Sequence, residues 1–158
     1  MIATGLVCLA QQADLDSIRV ILGKGPLPQQ YKDEAVLALI QRDYSERSTS
    51  EILEDKQVCA EAIIEILNSG SILFQFCHDI FIQACQSEGW EQVVTHLLSL
   101  GTLPPKVVAR GLVEAVANHD IDKASLFDSS PVDPRLIDQA VQTTLEEKIY
   151  TYCIRSYR

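Results

Sequence analysis

A chain of 158 residues, 47% of them hydrophobic, has the length of one domain and enough apolar sequence to bury a core without metals or crosslinks. Its 22 acidic residues against 13 basic ones give a formal net charge of −9. That balance excludes a general nucleic-acid binder and a binder of anionic membranes, which both need a basic surface to displace counterions or meet headgroups.

Gly and Pro are few and fall between periodic segments rich in Ala, Leu, Ile, Val, Gln and Glu, so the chain reads as all-α. Met1 to Ala10 is apolar but too short to span a membrane, and no basic residue precedes it, so no exported or membrane-bound form is expected. Gly5 to Gln12 puts Leu6, Leu9 and Ala10 on one face. Asp14 then breaks the run and caps a second helix with Ile18, Ile21 and Leu22 inside, which ends at Gly25-Pro26-Leu27-Pro28. This is the first unit, about 3–25.

The second unit, about 32–70, opens with Ala35, Val36, Leu39 and Ile40. It is then interrupted by polar sequence without periodicity, read as an inserted loop over about 43–57 that projects from the scaffold as its most mobile part. Its second helix is expected from Val58 to Leu67, closed by Gly70. The third unit, about 71–101, begins with the apolar segment Ile72-Leu73-Phe74-Gln75-Phe76, continues through Ile80, Phe81 and Ala84, and ends with a helix carrying Val93, Val94, Leu97 and Leu98 before a left-handed cap at Gly101. The fourth, about 103–130, starts at Pro104-Pro105 and pairs Val108, Leu112 and Ala115 with Ile121, Ala124 and Phe127. The fifth, about 131–158, runs from Leu136 and Ala140 to Leu145, Ile149 and Cys153. The second-helix endings Gly25, Gly70, Gly101 and Ser130 recur at a period of about 30 once the loop is discounted, the mark of a solenoid built from helix pairs.

These endings resemble the ankyrin repeat, whose second helix reads Gly, three variable positions, two aliphatics, two variable, two leucines, two variable, Gly. Gly89 to Gly101 matches position by position, and Ala13 to Gly25 and Val58 to Gly70 match in their apolar positions. No unit carries the family's Thr-Pro-Leu-His opening, and Leu27-Pro28, Leu103-Pro104 and Val132-Asp133 stand where its β-hairpin fingers would be. The resemblance implies an ankyrin-like α-solenoid of about five helical hairpins with fingers reduced or absent, and a surface that binds protein.

The five cysteines are odd in number, widely spaced and mostly set in apolar helical patterns, as reduced core residues of a cytoplasmic protein are; delivery into a host cell is equally compatible. Cys77, His78, Cys85 and His96 match no tetrahedral metal spacing, no Gly-rich phosphate loop is present, and Asp120 and Asp122 flank Ile121 as Asp14 and Asp16 flank Leu15, the pattern of helix N-caps. No cofactor or metal is expected, and the reading is of a non-enzyme. Phe74 and Phe76, with Trp90 nearby, are either tucked beneath the inserted loop or offered as aromatic anchors. Tyr150, Tyr152 and Tyr157 either close the last unit or make a dimer contact. The function expected is an adaptor, inhibitor or effector-like module that binds a protein with a basic surface through Phe74, Phe76, Trp90, Glu88 and Glu91. Homo-oligomeric assembly is the alternative, followed by an enzyme with a cryptic Cys–His pair.

Overall fold

A computed structural model describes residues 2–70 and 74–156, and all regular structure among them is helical. Helices α1 (Ile2–Gln12) and α2 (Leu15–Leu22) form a first pair, and α3 (Gln29–Ile40) and α4 (Thr49–Asn68) a second. A third is made by α5 (Phe74–Gln86) and α6 (Glu91–Ser99), and a fourth by α7 (Pro105–Ala117) and α8 (Ile121–Ser125), which runs into a 3-10 turn (Leu126–Ser129). A single helix, α9 (Pro134–Ser156), follows. The first members of the pairs pack on one another in chain order, α1 on α3, α3 on α5, α5 on α7 and α7 on α9. The second members do likewise, α2 on α4, α4 on α6 and α6 on the 3-10 turn. The contacts are uneven, broad where α1 meets α3 and α7 meets α9 and slight where α3 meets α5.

One turn is built twice. Ala13 and His119 adopt left-handed φ of 55° and 58°. Ala13 N donates to Ala10 O and Asp14 N to Leu9 O, both at 3.1 Å, while His119 N donates to Val116 O and Asp120 N to Ala115 O, both at 3.0 Å. These are the paired bonds of a Schellman ending, and the next residue at once starts a new helix. The Asp14 carboxylate accepts from Ser17 N and that of Asp120 from Lys123 N, each at 3.0 Å, so both aspartates are N-caps as the sequence predicts. At the end of α6, Gly101 takes the expected left-handed conformation, φ 65°.

Four expectations are corrected. The polar loop spans 41–48 instead of 43–57, because Ser48 and Glu51 start α4: the Glu51 carboxylate accepts from Ser48 N at 3.0 Å and from its hydroxyl at 2.8 Å. The first two turns of α4 are largely solvent-facing, so their polarity hid a helix whose apolar face begins only at Val58. Nor does the loop stand away from the scaffold. Asp55 holds Arg42 at 2.8 Å and Arg47 at 3.1 Å, and Arg42 also donates to Gln11 O at 2.6 Å. In the fourth unit Phe127 is buried, edge-on to Phe81 with centroids 6.0 Å apart, but Ile121 is 81% exposed because its helix is only one turn long. The fifth unit is one helix where a hairpin was expected; from Arg135 to Ser156 there is no Gly or Pro to break it. Ile72, Leu73 and Tyr157 lie outside the described residues, and Tyr150 is exposed on α9.

The core runs from Leu6 and Ile18 through Leu39, Ile63 and Phe81 to Val94 and Phe127. It leaves no room for a side chain at Gly111, where α7 crosses α5. A Cβ at Gly111 would lie inside van der Waals distance of the Phe81 ring, 2.9 Å from Cζ, and 3.0 Å from Cys85 Sγ. Gly111→Ala gains helix propensity but overpacks this crossing. Chemical denaturation should find the variant less stable by about 1–3 kcal/mol; an unchanged or higher midpoint would mean that the two helices separate at no cost.

Candidate functional site

The last carbonyls of any α-helix have no intrahelical donor. At the end of α5 these carbonyls and those just beyond are satisfied from three other elements. Asn118 Nδ2, beyond the end of α7, donates to Gln86 O at 3.0 Å and to Glu114 O at 2.9 Å. Lys123 Nζ, from α8, donates to Ser87 O, and Lys56 Nζ, from α4, donates to Glu88 O at 2.5 Å. Lys123 is fully buried, with its ammonium 3.1 Å from the Asp120 carboxylate. Lys56 also sits over two rings, 5.4 Å from the centroid of Tyr44 and 5.9 Å from that of Trp90.

Held in this way, the chain reverses through two left-handed residues, Gly89 (φ 83°) and Trp90 (φ 69°). Glycine suits the first because a φ of 83° strains any residue with a Cβ, which would also meet Lys56 Cδ at 3.0 Å. The reversal drives the indole into the core, where Trp90 is 3% exposed, and leaves Glu88 exposed and Glu91 half-exposed. Across from them lies the α7–α8 turn, Asn118 to Asp122. The two turns enclose an open groove of about 580 Å³ lined by Glu88, Glu91, Asn118, His119, Asp120, Ile121 and Asp122.

The groove is acidic, and its charges differ in kind. Burial pushes the Asp120 carboxyl up, but the backbone N–H, side chain and charge of Lys123 outweigh it and hold the group below the ordinary carboxylate value. Among the described residues Glu88, Glu91 and Asp122 enter no ion pair. Three carboxylates therefore face solvent beside one that is internally compensated. No group of three or more His, Cys, Asp or Glu side chains among the described residues is gathered closely enough to hold a metal ion. No described helix is long and apolar enough to cross a membrane.

Of the residues singled out from the sequence, the structure brings Glu88 and Glu91 together in the groove and separates them from the aromatic ones. Trp90 is a core residue, not a surface anchor, because the left-handed turn rotates it beneath Lys56. Phe76 is half-buried against the core in the first turn of α5, the helix that also includes Phe74. The reading from sequence missed Asp120 and Asp122 as groove residues, having assigned them only to capping. It also missed Lys56 and Lys123 as the groove's supports. The signal for Lys56 was present: it is the one Lys or Arg between Ser48 and Pro105.

The thiols differ in setting. Burial pushes Cys59 up to about 11 and Cys85 up to about 12. Cys77 is half-buried, while Cys8 and Cys153 are exposed instead of lying in the core as the pattern had suggested. No family model, no curated protein and no solved structure matches this chain.

Replacing Lys123 by Met keeps the volume and removes the ammonium, leaving Ser87 O without its donor and Asp120 without its cation. The loss should be on the order of 1–3 kcal/mol at neutral pH, read by denaturant unfolding. Because Asp120 titrates lower when folded, its contribution is present above the ordinary carboxylate value of 3.8 and disappears as pH falls through the folded value. The gap between wild type and Lys123→Met should accordingly narrow on acidification, and an NMR titration should find the Asp120 carboxyl raised in the variant. A gap that widens on acidification would contradict this assignment.

Proposed function

We propose that the protein is a helical-repeat interaction module of ankyrin-like type, and that the acidic groove between the α5–α6 and α7–α8 turns receives a basic segment of a protein partner. The observation that carries this reading is the set of solvent-facing carboxylates of Glu88, Glu91 and Asp122, mounted on turns fixed by the buried Lys123 and the partly exposed Lys56. Such a site offers charge at defined positions and loses little side-chain or loop freedom on binding, so that much of the electrostatic attraction is retained as affinity. The stepwise packing of first helix on first helix and second on second supports a stacked-hairpin array, in which the turns of successive units form one continuous edge.

The mode of action is occupancy, not catalysis. The two fully buried thiols are held protonated and so make poor nucleophiles. Five free cysteines suit a reducing compartment such as the cytoplasm.

The test is charge reversal at the groove against charge reversal elsewhere. Fluorescence anisotropy with a labelled Lys/Arg-rich peptide should find binding weakened at least about tenfold in Glu88→Lys/Glu91→Lys/Asp122→Lys, and much less in Glu34→Lys/Glu46→Lys/Glu54→Lys, which changes net charge equally. Equal weakening in both would mean that the peptide responds only to total charge and that the groove is no site.

A further inference from the structure

A second cavity adjoins the acidic groove. Asn118 lines the groove and donates to Gln86 O and Glu114 O, and Gln86 and Glu114 line an open cavity of about 360 Å³ beside it, bounded by α9. Glu114 is only 4% exposed, and a buried carboxylate is costly unless it is paired and hydrogen-bonded. Its one side-chain donor among the described residues is Thr144 Oγ1, which reaches Oε1 at 3.4 Å, beyond the usual O–H···O range of about 2.5–3.0 Å. Arg110 does not make up the difference. Its guanidinium is turned to Glu147 at 2.6 Å, while Arg110 Nε stays 3.9 Å from Glu114 Oε1 and makes no hydrogen bond among the described residues. Glu114 Oε2 has no donor among the described residues. On the α9 side the same cavity is lined by Lys148 and Arg155, which enter no ion pair among the described residues. Lys148 follows Thr144 by one helical turn, about 6 Å of rise.

A group that satisfies both sides of this cavity carries a cation and an anion a short distance apart. We infer, resting on the groove as the site of a basic segment, that this segment is the C-terminus of the partner and that its last residue is arginine. The guanidinium takes Glu114 and Thr144, and the terminal carboxylate takes Lys148 and Arg155. Arginine fits better than lysine because its planar fork gives two hydrogen bonds to one carboxylate, and because it is more weakly hydrated and so costs less to bring to a buried group. The basic residues before it pass over Asn118 to Glu88, Glu91 and Asp122. A chain terminus is selected by Lys148 and Arg155. A basic stretch in the middle of a chain would carry its cations past these two with no anion to offer them, whereas a terminal residue brings one of its own.

The test compares two labelled Lys/Arg-rich peptides of one sequence ending in arginine, one with a free terminal carboxylate and one amidated, by fluorescence anisotropy with the full chain. Total charge favours the amide, because it is the more positive peptide and the protein stands at −9. The cavity predicts the opposite order, with the free acid bound at least about fivefold tighter. That preference should vanish in Lys148→Gln/Arg155→Gln, whose exposed side chains can be changed without disturbing the fold. Glu114→Gln keeps the side-chain shape and removes the charge, and should abolish the advantage of the arginine-ended acid over a leucine-ended one. Glu88→Lys/Glu91→Lys/Asp122→Lys should weaken acid and amide alike and leave their ratio unchanged, so a failure of the groove is read separately from a failure of the cavity. The inference is overturned if the amide binds as tightly as the acid or tighter. It is equally overturned if the preference for the acid survives in Lys148→Gln/Arg155→Gln, or if the advantage of terminal arginine survives in a folded Glu114→Gln variant.

Discussion

The structure turns on the carbonyl end of α5. A helix leaves its last carbonyls without intrahelical donors, and each one that is buried and unsatisfied costs on the order of 1–3 kcal/mol. Here the donors are side chains from three other elements, Lys56, Asn118 and Lys123, so the end of one helix is also a junction between neighbours. A weaker version recurs one unit earlier, where the buried Lys32 reaches Ser69 O at 3.4 Å beyond the end of α4. Lysine suits this task because its long apolar stem lies along the core while its ammonium serves a carbonyl that carries the negative end of the helix dipole. The acidic surroundings follow from the same device. Asp120 compensates Lys123 directly, and Glu88 and Glu91 lie on the turn that Lys56 and Lys123 fasten.

Packing and polar fastening act on the same helices. Gly111 lets α7 approach α5 closely enough for Phe81 to fill the space a side chain would take, and Phe127 closes over the same ring from the second row. This close approach brings Asn118 and Lys123 within reach of the α5 terminus. The groove between the two turns is therefore set by a core contact some distance from its carboxylates. By the same logic, the 41–48 segment is held by charge: Asp55 draws Arg42 and Arg47 inward, and Tyr44 settles against Cys59 and Lys56.

Apolar periodicity made the helices and most of the core legible, because each buried face repeats at helical spacing over two or more turns. The caps at Asp14 and Asp120 were legible for the same local reason. What sequence could not give was the length of α4, whose first turns face solvent and so lack a periodic signal, or the fate of Trp90, which depends on two consecutive left-handed residues. The one-turn α8 likewise misled: Ile121 holds an inward position in a long helix and an outward one in this short helix. Of the candidate site, Glu88 and Glu91 were readable as acidic surface. Asp122 and Lys123 were not, and Lys56 stood out in the sequence without showing what it holds, because both lysines reach the turn through contacts across more than 30 residues.

The central claim is that positioned carboxylates, not bulk acidity, make the groove, and Lys56 separates the two. Lys56→Met removes a positive charge beside Glu88 and takes the chain from −9 to −10, so attraction by charge alone would tighten binding of a basic peptide. It also frees Glu88 O and loosens the turn that aims Glu88 and Glu91. Measured by anisotropy on the folded variant, the affinity should fall by several-fold, with the peptide dissociating faster. Equal or tighter binding would contradict the account and reduce the groove to an acidic patch.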